Sequence, residues 1–179
     1  LLTRLGALAS GGITPFGRAV AALPVHPRLG CVVVAGHRSG CLAKAAAAAA
    51  LASERDPWER ASGALQSAGQ DDLLGRIALL EGPSSGADPG ALRAVLRVRD
   101  QLIDVARRGL GEGGRGSGRD AEDGVIDALI MGFPDRVALR RTGSGGRYLL
   151  SSGIGAALPR DGLAVGPECL VAISIQPLG

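Results

Sequence analysis

The stretch LGALASGGITPFGRAVAALPVHPR, residues 5–28, decides how this chain begins to fold. A short apolar run ends at Gly11-Gly12, where the two glycines predict a turn. Phe16, Val20 and Leu23 then recur at helical spacing until two prolines stop the pattern. The stretch therefore predicts a turn, a brief helix and a rigid exit.

The composition favours closely packed helices. Hydrophobic residues make up 46% of the chain but aromatic residues only 2%, so the core has to be built from Leu, Val and Ile against Ala. The 29 glycines among 179 residues occur in clusters, which indicates loops and linkers between folded pieces. Because the sequence opens on Leu1 rather than Met, we expect a piece of a longer protein.

The charge and cysteine content fit a soluble cytoplasmic protein. A net charge of +3 is too small to predict nucleic-acid binding by itself, and a set of 20 cations with a single lysine, Lys44, is typical of GC-rich coding. Three irregularly spaced cysteines form no disulfide framework, and no signal peptide precedes them. No apolar run reaches the roughly 20 residues of a membrane span.

Residues 29–110 read as mostly helical. The segment LGCVVVAG (29–36) fits a buried strand or a helix, whereas CLAKAAAAAALAS (41–53) predicts a helix. DDLLGRIALLEG (71–82) predicts a short amphipathic helix, and Asp88-Pro89 opens a longer one with an apolar stripe. We interpret the arginines of that long helix as solvated charges.

The pattern changes after the glycine-rich segment GEGGRGSGR (111–119), which predicts a linker. EDGVIDALIMGFPD (122–135) predicts one more helix. Short runs of period two then follow, separated by turn residues, which predicts a small β-barrel or sandwich. These runs are RVALRR (136–141), YLLSS (148–152), GIGAALP (153–159) and ECLVAISIQPL (168–178).

Three motifs together resemble a known family. They are Leu-Pro-x-His-Pro-Arg ending at residue 28, Ser-Glu-Arg-Asp-Pro at 53–57, and Phe-Pro-Asp-Arg-Val-Ala at 133–138. Their order is similar to the helicase-associated region that follows the motor domains in DEAH-box ATP-dependent RNA helicases of the bacterial HrpB type. The resemblance also favours a helix for residues 29–36.

The resemblance implies an α+β architecture. It predicts the end of a winged-helix unit at 1–27, an Ala-rich helical bundle at 28–110, a Gly-rich linker at 111–120, and a closing helix with a partial OB-like β-barrel at 121–179. It further implies an accessory region that binds nucleic acid and couples ATP-driven translocation to strand unwinding. ATP and Mg belong to the motor domains, so we expect no cofactor in this chain. The expected partners are single-stranded RNA or another nucleic acid and the motor domains of the same full-length chain, without a membrane.

The candidate nucleic-acid contacts lie at two places. Arg18 and Arg28 bracket the proline-rich exit, and a cluster on the β segment combines arginines with one aromatic ring. A charge track with a stacking ring resembles the way OB folds hold single strands. The members of the β cluster are Arg136, Arg140, Arg141, Arg147 and Tyr148.

Other motifs do not assemble a catalytic or metal site. No Walker loop is present, and the G-x-G-x-x-G at 111–116 lacks the strand and helix that a dinucleotide site requires. The G-x-S-x-G at 82–86 has no histidine downstream, as a nucleophile elbow requires. A zinc site is also disfavoured because a helical segment would spread its four candidate ligands over different faces. These ligands are His26, Cys31, His37 and Cys41.

Two alternatives stay open. The Ala-rich bundle could be a protein-interaction module whose charges only keep it soluble, in which case an exposed apolar face is expected. A stand-alone winged-helix DNA binder would need several base-reading residues, and residues 16–23 offer only Arg18.

Overall fold

The chain folds into a helical body followed by a small antiparallel sheet. The computed structural model describes residues 1–58, 72–82, 86–111, 113–114, 121–141, 146–158 and 167–176. Its helices are α1 (Pro15–Ala21), α2 (Pro27–Arg38), α3 (Leu42–Ser53), α4 (Asp72–Glu81), α5 (Pro89–Gly109) and α6 (Ala121–Gly132). Its strands are β1 (Leu8–Ala9), β2 (Gly12–Ile13), β3 (Val137–Arg140), β4 (Arg147–Leu150), β5 (Gly155–Ala157) and β6 (Cys169–Val171), with a 3₁₀ turn at Pro134–Arg136.

The opening stretch forms the predicted turn and brief helix, and the turn lies within a two-stranded hairpin. Strands β1 and β2 pair antiparallel, and Thr14 caps α1 by accepting a hydrogen bond from the Gly17 N–H at 2.9 Å. Gly17 packs directly on the hairpin, because a Cβ there would lie 2.1 Å from the Ala7 carbonyl oxygen. The assignment of this unit to a winged helix remains a prediction.

Helix α2 resolves the ambiguous segment and forms the centre of the body. Residues 29–36 are helical, as the family resemblance predicts, and Val32 and Val33 are fully buried. The alanines of α3 pack against them, with Ala45 to Ala50 all buried. Small side chains allow this close approach, because a Cβ on Gly36 would lie 2.2 Å from the Ala45 Cβ.

The Ser-Glu-Arg-Asp-Pro motif is a turn stabilised by Asp56. One oxygen of its carboxylate accepts a hydrogen bond from the Trp58 N–H at 2.9 Å, and the other accepts from Arg76 on α4 at 2.7 Å. The Pro57 carbonyl accepts from the Asp88 N–H, and the Asp88 carboxylate in turn caps α5. The turn thereby joins the middle of α4 and the start of α5 to the end of α3. The irregular segment predicted for residues 58–68 lies outside the described residues, except for Trp58.

The described part of the Gly-rich segment packs on the body. The Gly111 carbonyl lies 3.2 Å from His37 Nε2, and the Gly114 N–H donates to the His37 carbonyl at 3.0 Å. A Cβ on Gly114 would lie 1.7 Å from the Arg38 carbonyl oxygen. These glycines therefore permit backbone contact with the end of α2. Residues 112 and 115–120 lie outside the described part of the chain.

The four strands of the second sheet are antiparallel in the order β5-β4-β3-β6. The mixed helix-and-sheet class is thus confirmed. Over the described residues the sheet is open, with β5 and β6 at its edges, so no closed barrel forms there and the OB-like assignment remains a prediction. A small core of Ala138, Tyr148 and Leu150 covers one face.

One hydrophobic core runs through the helical body. It includes Leu5 and Val20 from the opening unit, Val95 from α5, and Val125 and Phe133 from the last predicted unit. Packing therefore joins elements that the predicted domain boundaries separate. None of the helices within the described ranges is long and apolar enough to cross a membrane.

We predict that Gly36→Ala destabilises the chain by about 1–3 kcal/mol, because the added methyl group overlaps Ala45 and forces α2 from α3. Urea unfolding at neutral pH measures the change. Gly109→Ala is the matched control, since nothing lies within 4 Å of its added Cβ and α5 ends there. We expect the control to stay within about 0.5 kcal/mol of the parent or to gain slightly. Equal losses in both variants would contradict close α2–α3 packing as the cause.

Candidate nucleic-acid interface

Strand geometry divides the predicted β cluster between two faces. Arg140 lies opposite Tyr148 in the β3–β4 pair, so these two side chains share a face. Arg147 is one residue from Tyr148 along β4 and therefore lies on the other face, where Leu139 and Leu149 pair. Adjacency along the chain predicts one group, but the alternation of side chains along a strand separates its members. Arg140 and Arg147 are both exposed, at the end of the sheet farthest from Val137.

Tyr148 does not offer a stacking surface. Its ring is only 2% exposed within the small core of the sheet, and its hydroxyl donates to the Pro167 carbonyl at 2.9 Å. A stacked base needs an accessible ring face, which this ring does not present. The predicted stacking role is therefore replaced by a structural one that closes the sheet over its inner face.

Arg28 is engaged by a carboxylate rather than facing solvent. Its guanidinium makes two parallel hydrogen bonds to Asp135, at 2.6 and 2.8 Å, and a third to the Gly132 carbonyl. The side chains of Arg28 and Asp135 are only 11% and 17% exposed. This bidentate pair ties the start of α2 to the turn after α6, so we assign Arg28 to structure and not to the predicted nucleic-acid contact.

Arg136 supports the same joint. Its guanidinium donates to the Ile173 carbonyl and lies 5.5 Å from the centre of the Phe133 ring, and Arg28 lies at the same distance from that ring. Phe133 itself is buried in the main core. The two arginines thus connect the sheet to the helical body through one aromatic ring. We also assign Arg136 to structure, although its place in the sequence predicts a nucleic-acid contact.

The remaining predicted arginines stay at the surface. Arg18 is exposed, with one guanidinium nitrogen donating to the Ile13 carbonyl at 3.2 Å. Arg141 is also exposed, and its backbone N–H donates to the Arg147 carbonyl. The structure therefore brings Arg140, Arg141 and Arg147 to one end of the sheet, while Arg18 lies on the helical body.

Sequence reasoning missed two ion-pair partners and one aromatic contact. Asp135 and Asp56 hold Arg28 and Arg76, and the Arg38 guanidinium lies 5.2 Å from the centre of the Phe16 ring. The partners within each pair are distant in sequence, so spacing gave no signal. In the sequence, Asp135 stands out only as part of the Phe-Pro-Asp-Arg motif. That motif indicated a family resemblance and not an ion pair.

The histidines and buried cysteines serve the helical body. His26 Nδ1 accepts a hydrogen bond from the Arg28 N–H at the start of α2, and His37 lies against Gly111. Burial raises the pKa of the Cys31 thiol to about 11 and raises the pKa of Cys41 as well, so both thiols remain protonated near neutral pH. No group of three metal-binding side chains occurs among the residues whose positions are described.

The Arg28–Asp135 pair predicts a specific dependence of stability on pH. Hydrogen bonding from Arg28 lowers the pKa of the Asp135 carboxyl from 3.8 to about 2. Because the folded pKa lies below the unfolded one, the stabilisation is present above pH 4 and is lost as the pH falls towards 2. Asp135→Asn should therefore lower the free energy of unfolding by about 1–2 kcal/mol at pH 6 and by much less near pH 2. This range takes account of solvent screening of the partly exposed pair.

Urea unfolding of both proteins at several pH values measures this difference. Asp100→Asn is the control, because the Arg99–Asp100 pair has an exposed carboxylate and should contribute under about 0.5 kcal/mol. A constant difference between parent and Asp135→Asn from pH 6 to pH 2 would contradict the assigned role of the charge.

Comparisons with known proteins support the resemblance. No protein-family model matches this sequence, and no curated protein does. The solved structures that match its fold include two of HrpB. One is described as the DExH-box NTPase HrpB of E. coli, at 27% identity and a TM-score of 0.54 over 88% of this chain. The other is described as the DEAH/RHA helicase HrpB of Escherichia coli, at 27% identity and a TM-score of 0.58 over 87% of this chain.

This chain spans only 16% of the length of each helicase structure. Because nearly nine-tenths of this chain takes part, the match extends over most of the fold and is not confined to one element. The predicted resemblance is confirmed: in sequence and in fold, the chain is similar to a segment of a DEAH-box helicase of the HrpB type.

Proposed function

We propose that this chain is the accessory, nucleic-acid-binding region of an HrpB-like ATP-dependent RNA helicase. The observation that carries the proposal is the structural match to HrpB over most of the chain, at 27% identity. The partners are then single-stranded RNA or another nucleic acid and the motor domains of the same helicase. ATP and Mg act in those motor domains, so the chain itself contributes binding and no hydrolysis.

The binding surface is the arginine-bearing end of the sheet. Arg140 and Arg147 are exposed on opposite faces, and Arg141 follows at the end of β3. Guanidinium groups on both faces of the sheet, at one end of β3 and β4, suit a phosphate backbone that passes across this end rather than along one face. Arg18 is a further exposed candidate on the helical body. Because Tyr148 is buried, this end of the sheet presents no accessible aromatic ring. Binding there depends on phosphates and has little base preference.

The joint between the sheet and the helical body supports a coupling role. The bidentate Arg28–Asp135 pair, the Phe133 ring and the Arg136–Ile173 hydrogen bond hold the sheet on α2 and α6. Val171 and Ile173 also pack against the main core. A nucleic-acid strand bound at the arginine-bearing end of the sheet is thereby attached to the helical body through several contacts. Such an attachment suits transmission of motor-driven movement.

We predict that Arg140→Gln with Arg147→Gln weakens binding of single-stranded RNA roughly tenfold at 0.1 M salt. The slope of the logarithm of the binding constant against the logarithm of the salt concentration should also become less steep by about 1.4. Each phosphate contact on a single strand contributes about 0.7 to this slope. Fluorescence anisotropy with a labelled oligouridylate of about 20 nucleotides measures both quantities across a salt series. Arg93→Gln with Arg97→Gln is the matched control, because it removes two exposed arginines from α5.

We further expect no ATP turnover by the homogeneous chain, with or without RNA. Two results would contradict the proposal. One is ATP hydrolysis that co-purifies with the chain, and the other is a flat anisotropy trace from protein whose circular dichroism shows it to be folded.

An exposed apolar patch favours protein interaction as a second candidate function. Leu139 and Leu149 pair across β3 and β4 on the outer face, yet they are 60% and 46% exposed. Exposed leucines side by side on a sheet are typical of a surface that another polypeptide covers. Under this alternative the folded chain binds no oligonucleotide, and Leu139→Ser with Leu149→Ser abolishes its association with the motor portion of the helicase in a pull-down.

A further inference from the structure

The C-terminal ends of α2 and α5 meet in the fold, although the residues that join them are far apart in the sequence. His37 Nε2 lies 3.2 Å from the Gly111 carbonyl across 74 residues, and the Gly114 N–H donates to the His37 carbonyl. Gly113 also lies against the His37 ring, since its added Cβ would come within 3.0 Å. The last turn of α5 is therefore held beside the last turn of α2.

Three arginines belong to the two helix ends that meet at this junction, and we call them the basic corner: Arg38, Arg107 and Arg108. Arg38 is the last residue of α2, and the other two lie in the last turn of α5. All three are exposed. In the part of the chain that the structure describes, none of their guanidinium groups forms an ion pair, in contrast to Arg28, Arg76 and Arg99.

Capping of the two helices does not account for these arginines. The Gly36 and His37 carbonyls of α2 accept from the backbone N–H groups of Cys41 and Gly114, and the Ala106 carbonyl of α5 accepts from the Leu110 N–H. Each helix end carries about half a negative charge, and Asp104 adds one carboxylate a turn earlier on α5. The charge of Asp127 on α6 also acts on Cys41, three residues beyond Arg38, yet within the described residues none of the three guanidinium groups pairs with a carboxylate.

The Phe16 ring orients part of the corner. The Arg38 guanidinium lies 5.2 Å from its centre, and stacking on a ring holds a guanidinium plane while leaving its N–H edge free to donate. Planar donors on a supported, exposed side chain match the oxygens of a phosphate better than a flexible ammonium does.

We propose that the basic corner is a second nucleic-acid contact, which binds backbone phosphates of a single strand. The inference rests on the proposed function. It extends the nucleic-acid-binding surface from the arginine-bearing end of the sheet to the helical body. It also revises the interpretation of the α5 arginines as solvated charges only, because the contacts of Gly111, Gly113 and Gly114 hold the end of α5, which carries two of them, at the end of α2. Two other exposed arginines of α5, Arg93 and Arg97, lie about three to four turns away from this end.

The test compares two charge-matched variants of the same helix, Arg107→Gln with Arg108→Gln and Arg93→Gln with Arg97→Gln. The probe is the labelled oligouridylate, titrated across a salt series with the complete 179-residue chain. We expect the corner variant to bind roughly tenfold more weakly and its salt slope to fall by about 1.4, while the α5 control changes less than about twofold. Because the substituted side chains are exposed and make no ion pair among the described residues, circular dichroism should show an unchanged fold.

The outcomes separate this inference from the proposed function. If the corner variant behaves like the Arg93 and Arg97 control, while the Arg140 and Arg147 variant loses affinity, the basic corner is excluded and the proposed function stands. If the unchanged chain binds no oligouridylate, both are overturned. If polyglutamate displaces the RNA as effectively as unlabelled oligouridylate does at equal charge, the corner recognises acidic polypeptide and the inference fails.

Discussion

The close approach of α2 to its neighbours is the constraint on which the rest of this structure depends. Gly36 leaves room for Ala45 of α3, and Gly132 of α6 lies where an added Cβ would come within 2.6 Å of the Arg28 carbonyl and of Val32. Helices that pack at such short separation need small residues on the contact surfaces. Gly36, Ala45 and Gly132 are the small residues that this packing requires. A larger side chain at either glycine would separate α2 from the helices that complete its burial.

The sheet depends on the same helix through a polar joint. Arg28 is part of the first turn of α2, and its carboxylate partner lies in the turn between α6 and β3. The pair is mostly buried and bidentate, so removing either member leaves the other without a charge partner in a poorly solvated place. The Phe133 ring beneath both arginines adds apolar contact at the same point. An ion pair, an aromatic ring and a few apolar contacts thus connect two units whose own cores are separate.

Glycine has two distinct uses in this chain. In the hairpin, Gly12 adopts a positive φ of 104°, which other residues rarely do, so it permits the turn before α1. At residues 113 and 114, glycine instead permits the backbone to contact the end of α2, where any side chain would collide. The composition predicts a linker at 111–120, and it does not distinguish glycines of a free loop from glycines whose backbone contacts a helix end. Their contacts hold the residues that follow α5 against the end of α2.

The sequence by itself determined the order and type of the main elements. Asp88-Pro89 marked the start of α5, the alanine tract marked α3, and period-two runs marked the strands, because these signals act within a few residues. Family motifs decided the one ambiguous segment, at residues 29–36. Tertiary structure alone decided which arginines are available to a ligand. Arg28 and Arg136 are held by Asp135 and Ile173, and strand alternation places Tyr148 in a core, because these outcomes depend on partners that spacing along the chain does not specify.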